Sequence, residues 1–276
     1  MEEYYFLFAL GILWSIFAIA VDFKKREVPN WLNFSLIAFA LAYRAFYSVF
    51  SREEMFFISG LIGFGIFFGI AHLFYYLRVF AGGDAKLLMG FGVILPYSNF
   101  SGLSYIGVLF IFALFLLGSI YSLVYSSFIV GKNWGKFKRE FRKIIQKSRG
   151  LLIGLIIVLF SFLFIDLGII LDLFLILTFL LYVYVKALDI CLIVEKKAGE
   201  LQEGDWLEKD VKLNRGVIRK SVHGLSLEDI KMLMKARKKV LIREGIPFTP
   251  AFLLSLLIMA PFFSALQFHF WFFSLF

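Results

Sequence analysis

The sequence predicts an all-α polytopic membrane protein with about eight transmembrane helices, six to eight being possible, and a small cytoplasmic subdomain before the last helix. Of its 276 residues, 61% are hydrophobic and 20% aromatic, with 37 phenylalanines. This is far more apolar surface than one soluble core would hide. Several apolar runs also reach the length of about 20 residues that crosses a bilayer as a helix. We therefore expect most of the chain to lie in a membrane.

Seven apolar runs are candidates for these crossings. The stretch 151–194 would be about 66 Å long as one straight helix, roughly twice the hydrocarbon thickness. We therefore expect it to turn near Asp166 to Asp172 and form a hairpin. The run 85–96 is short for a crossing and predicts a tilted or partly sunken helix. The runs lie at 4–22, 31–50, 55–77, 85–96, 103–130, 151–194 and 248–275.

The distribution of basic residues predicts the topology. Lysine and arginine concentrate in four segments between the apolar runs, whereas Arg44 and Arg52 fall toward the opposite side. Because basic residues are enriched in cytoplasmic loops, these four segments are expected in the cytoplasm. Arg44 should then extend its side chain to the outer interface. The four segments are 23–30, 78–86, 131–150 and 195–247.

Two of these segments are expected to lie outside the hydrocarbon. Segment 131–150 carries eight basic residues against one glutamate, with aromatic and aliphatic residues at helical spacing. It is either an interfacial helix that binds anionic lipids or only a loop that sets topology. In segment 195–247, Ser226 to Asp229 resembles a capping box that begins a basic helix through Arg243. No nucleic-acid-binding motif appears in that segment, so no nucleic-acid partner is expected.

The predicted domains follow from these segments. Residues 1–130 form a transmembrane domain that carries Asp22 and Asp84, and 131–150 is the basic interfacial segment. The stretch 151–194 is the transmembrane hairpin. The remaining parts are the cytoplasmic subdomain at 195–247 and the carboxy-terminal transmembrane helix at 248–276.

Asp22 and Asp84 are the candidate catalytic residues, because a carboxylate at a membrane boundary is costly and its position usually reflects function. The single cysteine, Cys191, and the three scattered histidines offer no zinc-binding pattern, so neither a metal nor a cofactor is expected. Serine-hydrolase and P-loop motifs do not occur either. Two close carboxyls sharing one proton can instead activate water and protonate a peptide carbonyl.

The context of the two aspartates resembles the type IV prepilin and archaeal preflagellin peptidases, which are GxGD-type membrane aspartyl proteases. The resemblance covers roughly residues 10–95 and is weaker beyond them, although the entry to the last span at 245–253 also looks like the carboxy-terminal region of the archaeal members. It consists of an aspartate followed after six residues by Pro-Asn, and a second aspartate in a glycine-rich element before a helix. Ala81 stands where the family has its first glycine. The resemblance implies a catalytic pair, Asp22 and Asp84, and supporting motif positions at Pro29, Asn30, Gly82, Gly83 and Lys86.

The resemblance implies that the protein is an aspartic endopeptidase that removes the short basic leader from archaellin or type IV pilin-like precursors at the cytoplasmic membrane face. Bacterial relatives often add a cysteine-rich zinc segment and an N-methyltransferase activity. Because this chain has one cysteine, that segment is absent and peptidase activity alone is expected. Two alternatives remain open. One is a transporter or channel that uses membrane carboxylates as an ion relay, and the other is a non-catalytic membrane assembly protein whose 195–247 segment recruits partners. The sequence does not determine the oligomeric state.

Overall fold

The chain forms two compact units. In a computed structural model, the described residues are 2–77, 79–97, 100–150, 168–213, 216–221 and 224–273. The first unit combines both ends of the chain, Met1–Leu123 and Pro247–Phe276, and the second is Val124–Ile246. The first unit therefore contains Asp22 and Asp84, together with the amino-terminal part of the last helix.

The described residues are mainly helical. Pro29 precedes the second helix in an extended conformation, as the Pro-Asn pair predicts. In chain order the helices are α1 (Glu2–Lys25), α2 (Asn30–Ser51), α3 (Glu54–Tyr76), α4 (Gly82–Ile94), α5 (Phe100–Lys132), α6 (Trp134–Lys147), α7 (Gly168–Leu188), α8 (Leu227–Lys235) and α9 (Thr249–Phe273).

Five of the described helices are long and apolar enough to cross a membrane, namely α1, α2, α3, α5 and α7. Large apolar side chains on them, such as Phe46, Phe50 and Phe128, are exposed, as expected for surfaces that face lipid. The predicted fold class, a polytopic helical membrane protein, is confirmed. The first half of the predicted hairpin, residues 151–167, lies outside the described residues. Helix α7 covers most of the second half, and the hairpin itself stays a prediction.

Helix α4 is short and is surrounded by protein. Its 13 residues correspond to about 20 Å, less than the hydrocarbon thickness. It packs against α2 and α3, and a Cβ added to Gly63 in α3 would collide with the carbonyl oxygen of Gly92 in α4. The buried residues of α4 are Ala85, Leu87, Leu88, Met89, Gly90, Phe91, Gly92, Val93 and Ile94.

The chain leaves α4 through a buried non-helical stretch whose carbonyl groups are hydrogen-bonded by side chains. Arg44 of α2 donates 2.7 Å hydrogen bonds to the carbonyl oxygens of Val93 and Leu95. The Tyr4 hydroxyl donates to the Tyr97 carbonyl oxygen at 2.9 Å. Such partners are required because no water satisfies backbone groups in the hydrocarbon.

The prediction that Arg44 extends to the outer interface is wrong. Its side chain is 0% exposed, and it also donates to the carbonyl oxygen of Phe56 at 2.7 Å. The guanidinium lies over the rings of Tyr4 and Phe56. A planar group with five N–H donors can bond several carbonyls at once, which explains why arginine occupies this buried position.

In the second unit, α6 is the amphipathic helix that the spacing of segment 131–150 predicts. Phe137 is buried, and Phe141 and Ile144 pack with it against Ala187 and Leu188 at the end of α7. Much of the apolar side of α6 is therefore covered by protein, while its basic residues remain at the surface. Binding of anionic lipids by this segment stays a prediction.

The second unit also contains a small sheet that the sequence analysis did not predict. Strands β1 (Ile193–Lys197) and β5 (Lys239–Arg243) pair antiparallel, and β2 (Trp206–Leu207) lies on the other side of β5. A separate hairpin consists of β3 (Val211–Leu213) and β4 (Gly216–Ile218). Helix α8, together with the strands, contributes to an apolar core that includes Leu207, Leu233 and Ile242.

The helix predicted from Ser226 through Arg243 is correct at its start and wrong at its end. Ser226 and Asp229 form the predicted reciprocal capping box, with the Asp229 amide donating to the Ser226 hydroxyl at 3.2 Å. The helix nevertheless stops at Lys235, and Arg237 adopts a left-handed φ of 47°. The following KVLIR segment alternates exposed and buried residues, the pattern of a strand with one buried face.

Candidate active site

Asp22 lies in the last turn of α1 and is 7% exposed. The first apolar run ends at Asp22, but the helix continues for three more residues to Lys25. Arg26 then takes a left-handed φ of 55°, and its amide donates to the Asp22 carbonyl oxygen at 2.7 Å. This local geometry ends α1 and directs the chain into the short turn before Pro29.

Asp84 lies in the first turn of α4 and is half-buried. Ala81 precedes the helix with φ −69° and ψ 161°, an extended conformation that alanine adopts without strain. The alanine that replaces the first glycine of the family motif is therefore compatible with this backbone. The amino-terminal position also places the Asp84 carboxyl near unpaired helix amides, which favour negative charge.

Gly83 allows the Asp84 segment to approach the turn that follows Asp22. A Cβ added to Gly83 would lie 3.1 Å from the Val28 nitrogen and 3.2 Å from the Val28 Cβ. The Gly83 carbonyl oxygen accepts a hydrogen bond of 3.3 Å from the Asn33 side chain. At Gly82 the nearest atom to an added Cβ, on the Tyr75 ring, is 3.7 Å away. The close backbone approach thus requires glycine at position 83 more than at 82.

The remaining motif positions join the same two segments. The Lys86 ammonium group donates to the Asn30 side-chain oxygen at 2.5 Å, across 56 positions of sequence. Asn30 is the first residue of α2, directly after Pro29. The predicted positions Pro29, Asn30, Gly83 and Lys86 therefore lie along one contact between the α1–α2 turn and the start of α4.

The two aspartates interact electrostatically. Asp84 lies outside the five candidate membrane-crossing segments. Burial raises the pKa of the Asp84 carboxyl above its ordinary value, and the negative charge of Asp22 raises the pKa further. A buried carboxyl beside a second carboxyl can hold a proton that an ordinary aspartate would release. Such a pair can accept a proton from water and donate one to a carbonyl oxygen within the same reaction.

Thr249 is a site residue that the sequence analysis missed. Its hydroxyl oxygen donates to Oδ2 of Asp22 at 2.9 Å, and Thr249 is fully buried. Thr249 is the first residue of α9 and is followed by Pro250, a residue common at helix starts. The Thr-Pro pair could have predicted a hydroxyl at the beginning of the last helix, but nothing in the sequence relates it to Asp22.

In the part of the chain that the structure describes, no group of three or more histidine, cysteine, aspartate or glutamate side chains is arranged to hold a metal ion. Asp172, near which the stretch 151–194 is predicted to turn, lies inside α7 in the second unit, so the predicted turn does not extend to this residue. The candidate site of the first unit is thus built from Asp22, Asp84 and Thr249.

The fold and this site define a multi-pass helical membrane protein with two interacting aspartates in one unit. Comparison with known families agrees with this class. Residues 9–125, which include both aspartates, match the model of the type IV leader peptidase family. The match confirms the family resemblance that the two aspartate motifs carry.

Three curated relatives are preflagellin peptidases. The protein from Methanocaldococcus jannaschii is 32% identical over 92 residues, which is 33% of this chain and 39% of the relative. Those from Methanococcus voltae and Methanococcus maripaludis are 33% and 28% identical over 89 residues, or 32% of this chain and 38% of each relative. The matches thus span about two fifths of the length of these relatives. No solved structure matches the chain significantly.

Proposed function

We propose that this protein is a membrane aspartyl endopeptidase that removes a short basic leader from archaellin or type IV pilin-like precursors. The observation that carries the proposal is the interaction of two carboxyls, Asp22 and Asp84, that are 62 positions apart in the sequence. The names of the similar proteins, preflagellin peptidases, support the same activity and class of substrate.

The proposed chemistry needs only the two carboxyls and water. The ionised carboxyl accepts a proton from water as the water oxygen bonds to the scissile carbonyl carbon. The protonated carboxyl gives its proton to the carbonyl oxygen, which forms a neutral gem-diol. In the collapse of this intermediate the C–N bond breaks and the leaving nitrogen takes the proton that the pair holds, while one gem-diol hydroxyl returns its proton to the pair as the C=O bond forms again. The pair is then left with one proton, as it began.

The site is placed at the cytoplasmic membrane face in this proposal. Asp22 is followed by Lys24, Lys25 and Arg26, and Asp84 is followed by Lys86. Basic residues of this kind are enriched on the cytoplasmic side of membrane proteins. In such a precursor the apolar helix lies in the bilayer and the leader lies in the cytoplasm. Its cleavage position would therefore lie at the cytoplasmic face of the membrane, where the two aspartates are proposed to be.

Cleavage of candidate precursors in the presence of aspartate variants tests the proposal. Each precursor is co-expressed with wild type, Asp22→Asn or Asp84→Asn, and the mass of the membrane-inserted product is measured. Asp172→Asn is a matched control, because it neutralises an aspartate of a membrane helix in the second unit. We expect cleavage by wild type and the control, and none by the two site variants.

The outcomes separate this proposal from the alternatives. If a folded, membrane-inserted Asp22→Asn or Asp84→Asn protein still removes the leader, the carboxyl pair is not the catalyst. If wild type cuts none of several precursors but conducts ions that both variants fail to conduct, the protein is a transporter or channel. If neither activity occurs and the second unit binds precursor, the assembly alternative replaces the peptidase.

A further inference from the structure

We infer that Thr249 is a positioning residue that orients Asp22 and makes it the base of the pair, so that Asp84 carries the shared proton. This inference rests on the proposed peptidase function. It assigns different roles to two carboxyls that the mechanism alone would leave interchangeable. It also extends the site from residues 9–125, where the family match lies, to the start of the last helix.

The hydrogen bond between Thr249 and Asp22 is directional. A hydroxyl has one proton to donate, and an ionised carboxylate can only accept. The bond of 2.9 Å from the Thr249 hydroxyl to Oδ2 of Asp22 therefore stabilises the ionised form of Asp22. Because both residues are buried, little water competes for this bond. With one proton in the pair, that proton is favoured on Asp84.

The position of Thr249 in its helix leaves its hydroxyl available for Asp22. Hydroxyls within a helix commonly donate to the carbonyl four residues earlier, as Ser255 does to Ala251 at 2.7 Å. Thr249 begins α9, so no preceding turn of that helix offers such a carbonyl. Its hydroxyl instead bonds across to α1, 227 positions away in the sequence.

The backbone around Thr249 is held by large buried side chains, which fixes the direction of the hydroxyl. Phe252 and Ala251, in the next half turn of α9, are fully buried. The Phe252 ring contacts the rings of Phe80 and Phe91. Phe248 occupies the space beside Gly118, where an added Cβ would meet its ring. Threonine also has a β-branched side chain with restricted rotation.

In the resulting mechanism, one carboxylate oxygen of Asp22 takes the proton from the attacking water. The other, Oδ2, accepts the hydrogen bond from the Thr249 hydroxyl. The water oxygen bonds to the carbonyl carbon, and Asp84 gives its proton to the carbonyl oxygen. Without the Thr249 hydroxyl, Asp22 would lose one of the hydrogen bonds that fix its orientation and part of the stabilisation of its charge. Substrate binding would be unaffected, because Thr249 bonds to Asp22 rather than to the precursor.

The test measures kcat and KM for leader cleavage by the purified full-length protein, with Thr249→Val, Thr249→Ala and Thr249→Ser variants. Valine keeps the branched shape and removes the donor, whereas serine restores the donor. We expect valine and alanine to lower kcat about tenfold to hundredfold, the range for losing a hydrogen bond to a charged group, with KM unchanged. Serine should keep kcat within about threefold of wild type, because the donor is the group that acts.

Ser255→Ala is the matched control. It removes another fully buried hydroxyl from the same helix, one that bonds to the backbone of α9. We expect wild-type kcat and KM from this control. The inference is overturned if Thr249→Val retains wild-type kcat. It is also overturned if kcat falls as much in Thr249→Ser, or in Ser255→Ala, as in Thr249→Val.

The proposed function can fail separately. If wild type cuts no precursor, or if Asp22→Asn still cuts, the peptidase mechanism is rejected before any Thr249 variant is considered. If the aspartate variants are inactive and Thr249→Val is as active as wild type, the peptidase stands and only the positioning role is rejected. Thermal unfolding of each variant in detergent identifies a loss of kcat that follows from misfolding, and such a loss in both Thr249→Val and Thr249→Ala would also overturn the inference.

Discussion

The Arg44 guanidinium donates a 2.7 Å hydrogen bond to the carbonyl oxygen of Leu95, the residue directly after α4. Together with the bond to Val93, it satisfies carbonyls that a full-length transmembrane helix would bond internally. Positive charge at this end also complements the helix dipole. Arg44 therefore holds the carboxy-terminal end of the same helix whose amino-terminal end carries Asp84.

Arg44→Met should destabilise the protein by about 3 kcal/mol, because removal of the guanidinium leaves several buried carbonyl oxygens without donors. Arg44→Lys should destabilise the protein less, since the lysine ammonium group can replace some of the hydrogen bonds to these carbonyl oxygens. Thermal unfolding in detergent measures both changes. Arg52→Lys is the control, because Arg52 is exposed. Equal unfolding temperatures for wild type and Arg44→Met would contradict this role for Arg44.

Gly63→Ala should separate α3 from α4 and destabilise the protein by about 1 to 3 kcal/mol, the usual effect of overpacking. The added methyl group would collide with the Gly92 carbonyl oxygen and the Tyr97 ring. Gly65→Ala is the matched control in the same helix, because no described atom lies within 4 Å of its added Cβ. This control should be neutral or slightly stabilising, since alanine favours helix more than glycine does. Similar unfolding temperatures for the two variants would refute the packing argument.

Gly83→Ala should lower the rate of leader cleavage about tenfold, because its methyl group would push the Asp84 segment away from Val28. Gly82→Ala should lower the rate less, since among the described residues its added Cβ meets only the Tyr75 ring, at an ordinary contact distance. Cleavage kinetics with one precursor compare the two variants directly. A larger loss for Gly82→Ala than for Gly83→Ala would be inconsistent with the close approach at Val28.

Protein stability should fall as the pH rises toward and through the raised pKa of Asp84. A carboxyl whose folded pKa exceeds its unfolded pKa contributes stability that is fully present below the unfolded pKa and is lost above the folded one. Asp84→Asn cannot ionise and should lose this part of the pH dependence. Thermal unfolding of both proteins from acidic to mildly alkaline pH provides the measurement. Parallel curves for wild type and Asp84→Asn would show that Asp84 titrates as an ordinary carboxyl.

Local patterns in the sequence predicted much of the architecture. The apolar runs identified the long helices, Pro29 and Asn30 marked the start of α2, and Ser226 with Asp229 marked the start of α8. Each of these features depends on residues that are close together in the chain. The aspartate motifs also predicted that Asp22 and Asp84 belong together, and the structure describes a contact between their two segments.

Features that depend on distant contacts were not predicted. The local sequence does not distinguish a buried arginine from one that reaches the interface. The burial of Arg44 depends on where α4 ends. The close approach of α3 to α4 at Gly63 involves Gly92 and Tyr97, which are distant from it in the sequence. The strand β5 was read as helix because its pairing partner, β1, lies more than 40 positions earlier. The role of Thr249 was not predicted because its partner, Asp22, lies 227 positions earlier in the sequence.

The bond between Thr249 and Asp22 also has a consequence for biosynthesis. The first unit is assembled from the beginning and the end of the chain, with 123 residues of the second unit, Val124–Ile246, between them. Ribosomes make proteins from the amino terminus, so both aspartates are synthesised long before the hydroxyl that Asp22 binds. The nascent chain cannot complete the surroundings of Asp22 until α9 has emerged. The order of translation therefore places completion of this site after synthesis of the whole second unit.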